Sequence, residues 1–173
     1  MQIVQLTYIY HFVQNYILID YMMTKIKICG LSRECDIEYA NTLMPDFIGF
    51  VFFSQSKRYV NAEKAQELKN ALDMRIKSVG VFVNESPELI CRLYDNGVID
   101  YAQLHGTENN NYIEVLRSCC RIPIIKAFSV SGERDAAEAE RSCADYILLD
   151  NGNGGTGKSF DWSFLSKIKR PYF

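Results

Sequence analysis

Six short apolar runs rich in β-branched residues recur along this chain, at 25–29, 47–53, 77–83, 100–104, 122–128 and 145–149. Their last residues, Cys29, Phe53, Val83, Leu104, Phe128 and Leu149, stand 21 to 30 residues apart. That pitch leaves room for one helix and two loops between successive strands. Strand, helix, strand, helix is the pattern of βα units around a parallel sheet. The runs are continuously apolar instead of alternating, as expected of a parallel sheet covered on both faces.

The intervening segments carry helix signals. Ser86-Pro87 sets an N-cap ahead of a proline at the first helical position, and Gly97 closes that helix. Asn61 caps a helix with Ala62, Ala65, Leu68 and Leu72 on one face. Ile37, Ala40 and Met44 mark another helix, and Tyr112, Ile113 and Leu116 a further one, whereas 131–143 is only weakly apolar. Two α/β architectures fit this order, a doubly wound sheet and a (β/α) barrel, and both place active groups beyond the carboxyl ends of the strands. No G-x-G-x-x-G follows the first strand, which counts against a dinucleotide-binding version.

A net charge of −2 gives no electrostatic reason to expect nucleic acid or an anionic membrane as partner. The six cysteines form no C-x-x-C pair, and His11 and His105 are the only histidines, so no metal site is expected. The thiols read as reduced, which points to a cytoplasmic location. Residues 1–22 contain one acid, Asp20, and no Lys or Arg. They lack the basic start and small-residue cleavage site of a signal peptide. Gln5, His11, Gln14, Asn15 and Asp20 interrupt the apolar run and disfavour a membrane span, although residues 6, 9, 10, 13, 16 and 17 share one helical face. Residues 1–22 are therefore expected to be an extension outside the fold, and 23–173 the barrel-type domain.

The strand ends concentrate chemistry. KIKICG ends on Cys29, and Gly30 permits a sharp turn. A thiol held rigidly there suits proton transfer, although a free cysteine is more often an inert small hydrophobe. Arg58, after the second strand, offers a planar charged fork for a carboxylate or phosphate, or else belongs to a solvated Lys57-Arg58 pair. His105 in QLHG is a chemical group or a structural hydrogen-bond partner, and Asp150 closes YILLD or caps the next element. The Gly-rich loop NGNGGTGKSFDW at 151–162 follows, without a P-loop register. Coincidence explains each group singly, but not a thiol, a guanidinium, an imidazole and a carboxylate on one rim.

In order and spacing, KIKICGL, GFVF with SKRYV, VGVFVN, AQLHG, IIKAF, ILLD and GGTGKSFDW resemble phosphoribosylanthranilate isomerase of tryptophan biosynthesis across 25–173. The resemblance implies a (β/α)8 TIM-type barrel and no cofactor. It implies an Amadori rearrangement of N-(5-phosphoribosyl)anthranilate to 1-(2-carboxyphenylamino)-1-deoxyribulose 5-phosphate. By match to the family's motifs, Asp150 is the general acid that opens the furanose ring and Cys29 the general base at C2′. Arg58, His105 and Gly155 are then substrate-binding residues. Ser56-Lys57-Arg58 stands where the family has Ser-Pro-Arg, so this loop lacks the stiffening proline.

The family's barrel has eight strands, and 170–173 falls where the seventh should start. About six βα units and the start of a seventh strand are therefore expected, without the phosphate-gripping loops after strands seven and eight. Two functional expectations follow: a shortened isomerase acting on a phosphosugar-anthranilate, or a noncatalytic partial barrel that needs a complementing chain.

Overall fold

The structure, a computed structural model, describes residues 24–151 and 162–173. Six strands appear where the apolar runs predict them: β1 Lys27–Cys29, β2 Phe47–Val51, β3 Lys77–Phe82, β4 Tyr101–Leu104, β5 Ile124–Ser129 and β6 Tyr146–Asp150. Between them lie α1 Glu34–Leu43, α2 Ala62–Ala71, α3 Pro87–Asp95, α4 Asn110–Cys119 and α5 Glu133–Glu140, and a 3₁₀ helix spans Trp162–Lys167. Strand boundaries depart from the sequence expectation by no more than two residues, the margin by which strand ends fray.

The helix caps are those the sequence specifies. Asn61 accepts from the Lys64 N–H at 2.9 Å, Ser86 from the Leu89 N–H, and Asn109 from the Tyr112 N–H at 3.0 Å. Each satisfies a backbone donor that the first helical turn cannot pair. Gly97 adopts φ +70° just beyond α3, as a helix-terminating glycine should. The weak segment at 131–143 does form α5, but it buries only Ala136 and Ala139. Small residues generate little hydrophobic periodicity, which is why its signal is faint.

All strand pairs are parallel and the order is β1-β2-β3-β4-β5-β6. Strictly sequential order is that of a singly wound barrel; a doubly wound sheet reverses order at a switch point. The sheet is also strongly curved. Lys27 Nζ on β1 donates to Gln103 Oε1 on β4 at 2.7 Å, although three strand spacings of about 4.8 Å would separate them in a flat sheet. Tyr172 forms an isolated parallel bridge with Ile147, and Phe173 exchanges backbone bonds with Ile147 and Leu149, so a seventh strand begins beside β6.

Alternation along the strands separates two packed regions. Ile48, Phe50, Phe82, Leu104 and Ile124 face outward and pack with Ile37, Ala65, Leu68, Ile90, Leu93, Ile113 and Leu116 of the helices. Each fully buried Leu, Ile or Phe among them contributes about 1.5–3 kcal/mol before entropy is counted. A smaller cluster of Ala136, Ala139, Ile147 and Ile168 covers β6. On the concave face, Phe47, Tyr101, Tyr146 and Phe173 form a chain of ring contacts at the amino ends of the strands, edge-on except for the tilted Tyr101–Tyr146 pair. They line the concave face at its lower end, opposite the carboxyl ends of the strands.

Candidate active site at the carboxyl ends of the strands

Cys29 is the last residue of β1 and an exposed thiol. Residues 27 and 29 share a face of the strand, so Cys29 follows Lys27 toward the concave side. Room for it comes from β2. A Cβ built on Gly49 would lie 2.7 Å from Cys29 Sγ, closer than any real side chain allows. Gly30 then turns with φ +91° and donates its N–H to the Gly49 carbonyl at 2.8 Å. This conformation, costly for an L side chain, explains the glycine after the cysteine.

Arg58 lies over that turn. Its Nη1 donates to the Cys29 carbonyl at 3.2 Å, and the guanidinium covers the position a Gly30 side chain would take. The loop is placed by a parallel bridge between Tyr59 and Val51. Among the described residues the guanidinium is thus fixed at one edge of the mouth by one backbone contact, which leaves donors that can take an anion.

The second pair comes from β4 and β6. Asp150 ends β6, in register with Ser129 of β5, and its Oδ1 accepts from the Asn151 N–H at 2.7 Å. Its Oδ2 lies 3.5 Å from His105 Nε2. The other ring nitrogen, Nδ1, is 2.7 Å from Gln103 Nε2. Burial lowers the His105 pKa; Asp150 pushes it up, while Lys126 and Lys27 push it down. The ring is therefore neutral near pH 7.

A buried ion pair holds the loop that carries His105. Lys126 Nζ donates to the carbonyls of Leu104, Gly106 and Ala127 and approaches Glu108 at 3.4 Å. Glu108 accepts from the Asn84 N–H at 2.6 Å and the Gly106 N–H at 2.9 Å. The loops after β3 and β4 are thereby fastened to β5. Burial lowers the Lys126 pKa, and Glu108 opposes that shift.

Of the predicted residues, the structure pairs Cys29 with Arg58 and His105 with Asp150, at the carboxyl ends of the strands. Gly155 lies outside the described residues. Sequence reasoning passed over Gly49, Lys27, Gln103, Glu108 and Lys126. A glycine within an apolar strand signals close approach of another group, and polar residues inside the KIKIC and YAQL runs signal a polar barrel interior.

The family model described as N-(5'phosphoribosyl)anthranilate (PRA) isomerase matches residues 26–172. N-(5'-phosphoribosyl)anthranilate isomerase of Endomicrobium trichonymphae is 40% identical over 155 residues, covering 87% of this chain and 76% of the relative. The crystal structure of phosphoribosyl anthranilate isomerase from Thermotoga maritima superimposes with a TM-score of 0.75 at 35% identity, over 87% of this chain and 75% of that one. A further isomerase structure, in complex with reduced 1-(o-carboxyphenylamino)-1-deoxyribulose 5-phosphate, gives 0.72 at 34% identity, over 87% and 74%. Sequence motifs, sequential barrel topology and relatives agree: the chain belongs to the N-(5'-phosphoribosyl)anthranilate isomerase family.

Proposed function

We propose that this chain isomerises N-(5'-phosphoribosyl)anthranilate in tryptophan biosynthesis, with Asp150 as general acid and Cys29 as general base. The observation that carries this reading is the placement of a His105-paired carboxylate and a glycine-cleared thiol at the same end of one curved sheet. Asp150 gives a proton to the furanose ring oxygen as the C1′–O bond breaks and the anilino nitrogen forms a protonated Schiff base. Cys29, as thiolate, takes the proton from C2′, and the electron pair moves to the C1′–C2′ bond to give an enolamine. Loss of the O2′ proton and protonation at C1′ complete the ketone. No electrons leave the substrate, so the balance needs no redox cofactor. Each proton transfer contributes about 10²- to 10⁴-fold.

Arg58 binds the anthranilate carboxylate, His105 lies beside the reacting sugar, and Gly155 belongs to the substrate-binding loop. The substrate class is supported by the relative bound to a reduced aminodeoxyribulose phosphate. The family match begins at residue 26, which supports reading 1–22 as an extension and 23–173 as the barrel-type domain. A cytoplasmic setting is part of this reading and rests on the sequence, whose six cysteines form no C-x-x-C pair. Expression in a tryptophan-requiring strain that lacks this isomerase tests the reading. Growth without tryptophan is expected; no growth despite soluble, folded protein would favour a noncatalytic partial barrel.

A further inference from the structure

Gln103 is buried on β4 to 2% exposure, and its amide is held at both ends. One end lies 2.7 Å from Lys27 Nζ and the other 2.7 Å from His105 Nδ1. An ammonium only donates, so the amide atom facing Lys27 is the oxygen; a flipped amide would set donor against donor. The NH₂ group therefore faces Nδ1, and it too only donates. Nδ1 must present a lone pair, which leaves the proton of the neutral ring on Nε2, the nitrogen 3.5 Å from Asp150 Oδ2.

We propose that Lys27 and Gln103 are positioning residues that hold His105 in its Nε2–H tautomer, so that an N–H donor and not a lone pair faces Asp150. The path runs from β1 through β4 to β6, across the inside of the barrel. Lys27 stands two residues before Cys29 on the same strand face. One strand thus supplies the base and orients the partner of the acid. The consequence rests on the reading of Asp150 as general acid. In the opposite tautomer, an Nε2 lone pair would accept the proton of a protonated Asp150 and hold it away from the substrate. With Nε2–H in place, that oxygen accepts, and the acid's proton is left for the sugar ring oxygen.

The groups that face His105 are Lys27 on β1, Gln103 on β4 and Asp150 on β6, while Lys126, on the outward face of β5, acts on the ring only through its charge. Imidazolium would set an Nδ1–H against the Gln103 NH₂, so the contact that selects the tautomer also disfavours protonation.

Nitrogen-15 spectra of the histidine side chains test the tautomer without reference to activity; His11→Gln removes the only other imidazole. At pH 7.5 the His105 signals should show Nδ1 unprotonated and Nε2 protonated. Gln103→Glu, which offers an acceptor to Nδ1, should move the proton to Nδ1. Lys27→Met, which frees the amide to flip, should give a mixture, and Lys27→Arg should restore the original pattern. In parallel, kcat should fall on the order of 10- to 100-fold in Gln103→Glu and Lys27→Met, with KM within about twofold. A protonated Nδ1 in the unaltered protein, or no change in Gln103→Glu, would overturn the tautomer assignment. Tautomers that shift as described while kcat stays unchanged would instead overturn the link to Asp150 as acid.

Discussion

The thiol of Cys29 and the α-carbon of Gly49 are in contact across β1 and β2, so close that a methyl group on Gly49 would come within 2.7 Å of the sulfur. The strand pairing that brings them opposite each other, Cys29 with Gly49, is part of the β1–β2 register. Gly49 has no left-handed backbone requirement, and space beside the thiol is its role. Gly49→Ala should therefore leave the fold in place but displace Cys29, and a shift near 1 Å at a reacting group costs about 10²-fold in rate. Circular dichroism and steady-state kinetics on the same preparation check this.

Gly30 and Arg58 form a second such contact. Gly30→Ala forces an L side chain into φ +91° and against the guanidinium, at about 1–2 kcal/mol for the backbone alone. It should lower the urea midpoint and raise KM. Arg58→Lys, which keeps the charge and loses the fork, should raise KM with less effect on kcat.

Six strands, four of the five helices and the four rim residues were legible because each leaves a local mark: an apolar run, a cap, a turn glycine. The choice between barrel and doubly wound sheet was not, since it depends on strand order, which periodicity does not encode. The Lys27–Gln103 contact, which reveals the curvature, joins residues 76 positions apart. α5 was faint because alanines alone bury its inner face. Lys126 stood in the recognised IIKAF run, yet its clamp on the His105 loop requires Glu108 and three carbonyls from other segments.

That clamp predicts a stability defect. Glu108→Ala would leave the Lys126 ammonium buried beside carbonyls without its carboxylate, and the Asn84 and Gly106 N–H groups without their acceptor. Removing one member of a buried pair costs about 3–5 kcal/mol. Chemical denaturation measures it, and hydrogen exchange should rise first at residues 105–108.

Asp100 predicts an acid-sensitive term. Burial alone would raise its pKa, but the Lys69 ammonium at 2.6 Å and the Ser78 N–H and hydroxyl outweigh this and hold it below the ordinary value. A carboxyl depressed in the folded state binds its proton more readily when unfolded. Its contribution is thus complete above about pH 3.9 and is lost as pH falls through the lower folded value. Asp100→Asn should lower stability at neutral pH and flatten the dependence in that acid window, as read from denaturation midpoints.

The most direct measurement is turnover of N-(5'-phosphoribosyl)anthranilate by the purified chain and by Cys29→Ala and Asp150→Ala, with product quantified by chromatography and folding checked by circular dichroism. The acid–base assignment predicts conversion by the unaltered chain and a loss in kcat of about 10²- to 10⁴-fold in each folded variant. Undiminished turnover by either variant, or none by the folded unaltered chain, would contradict it.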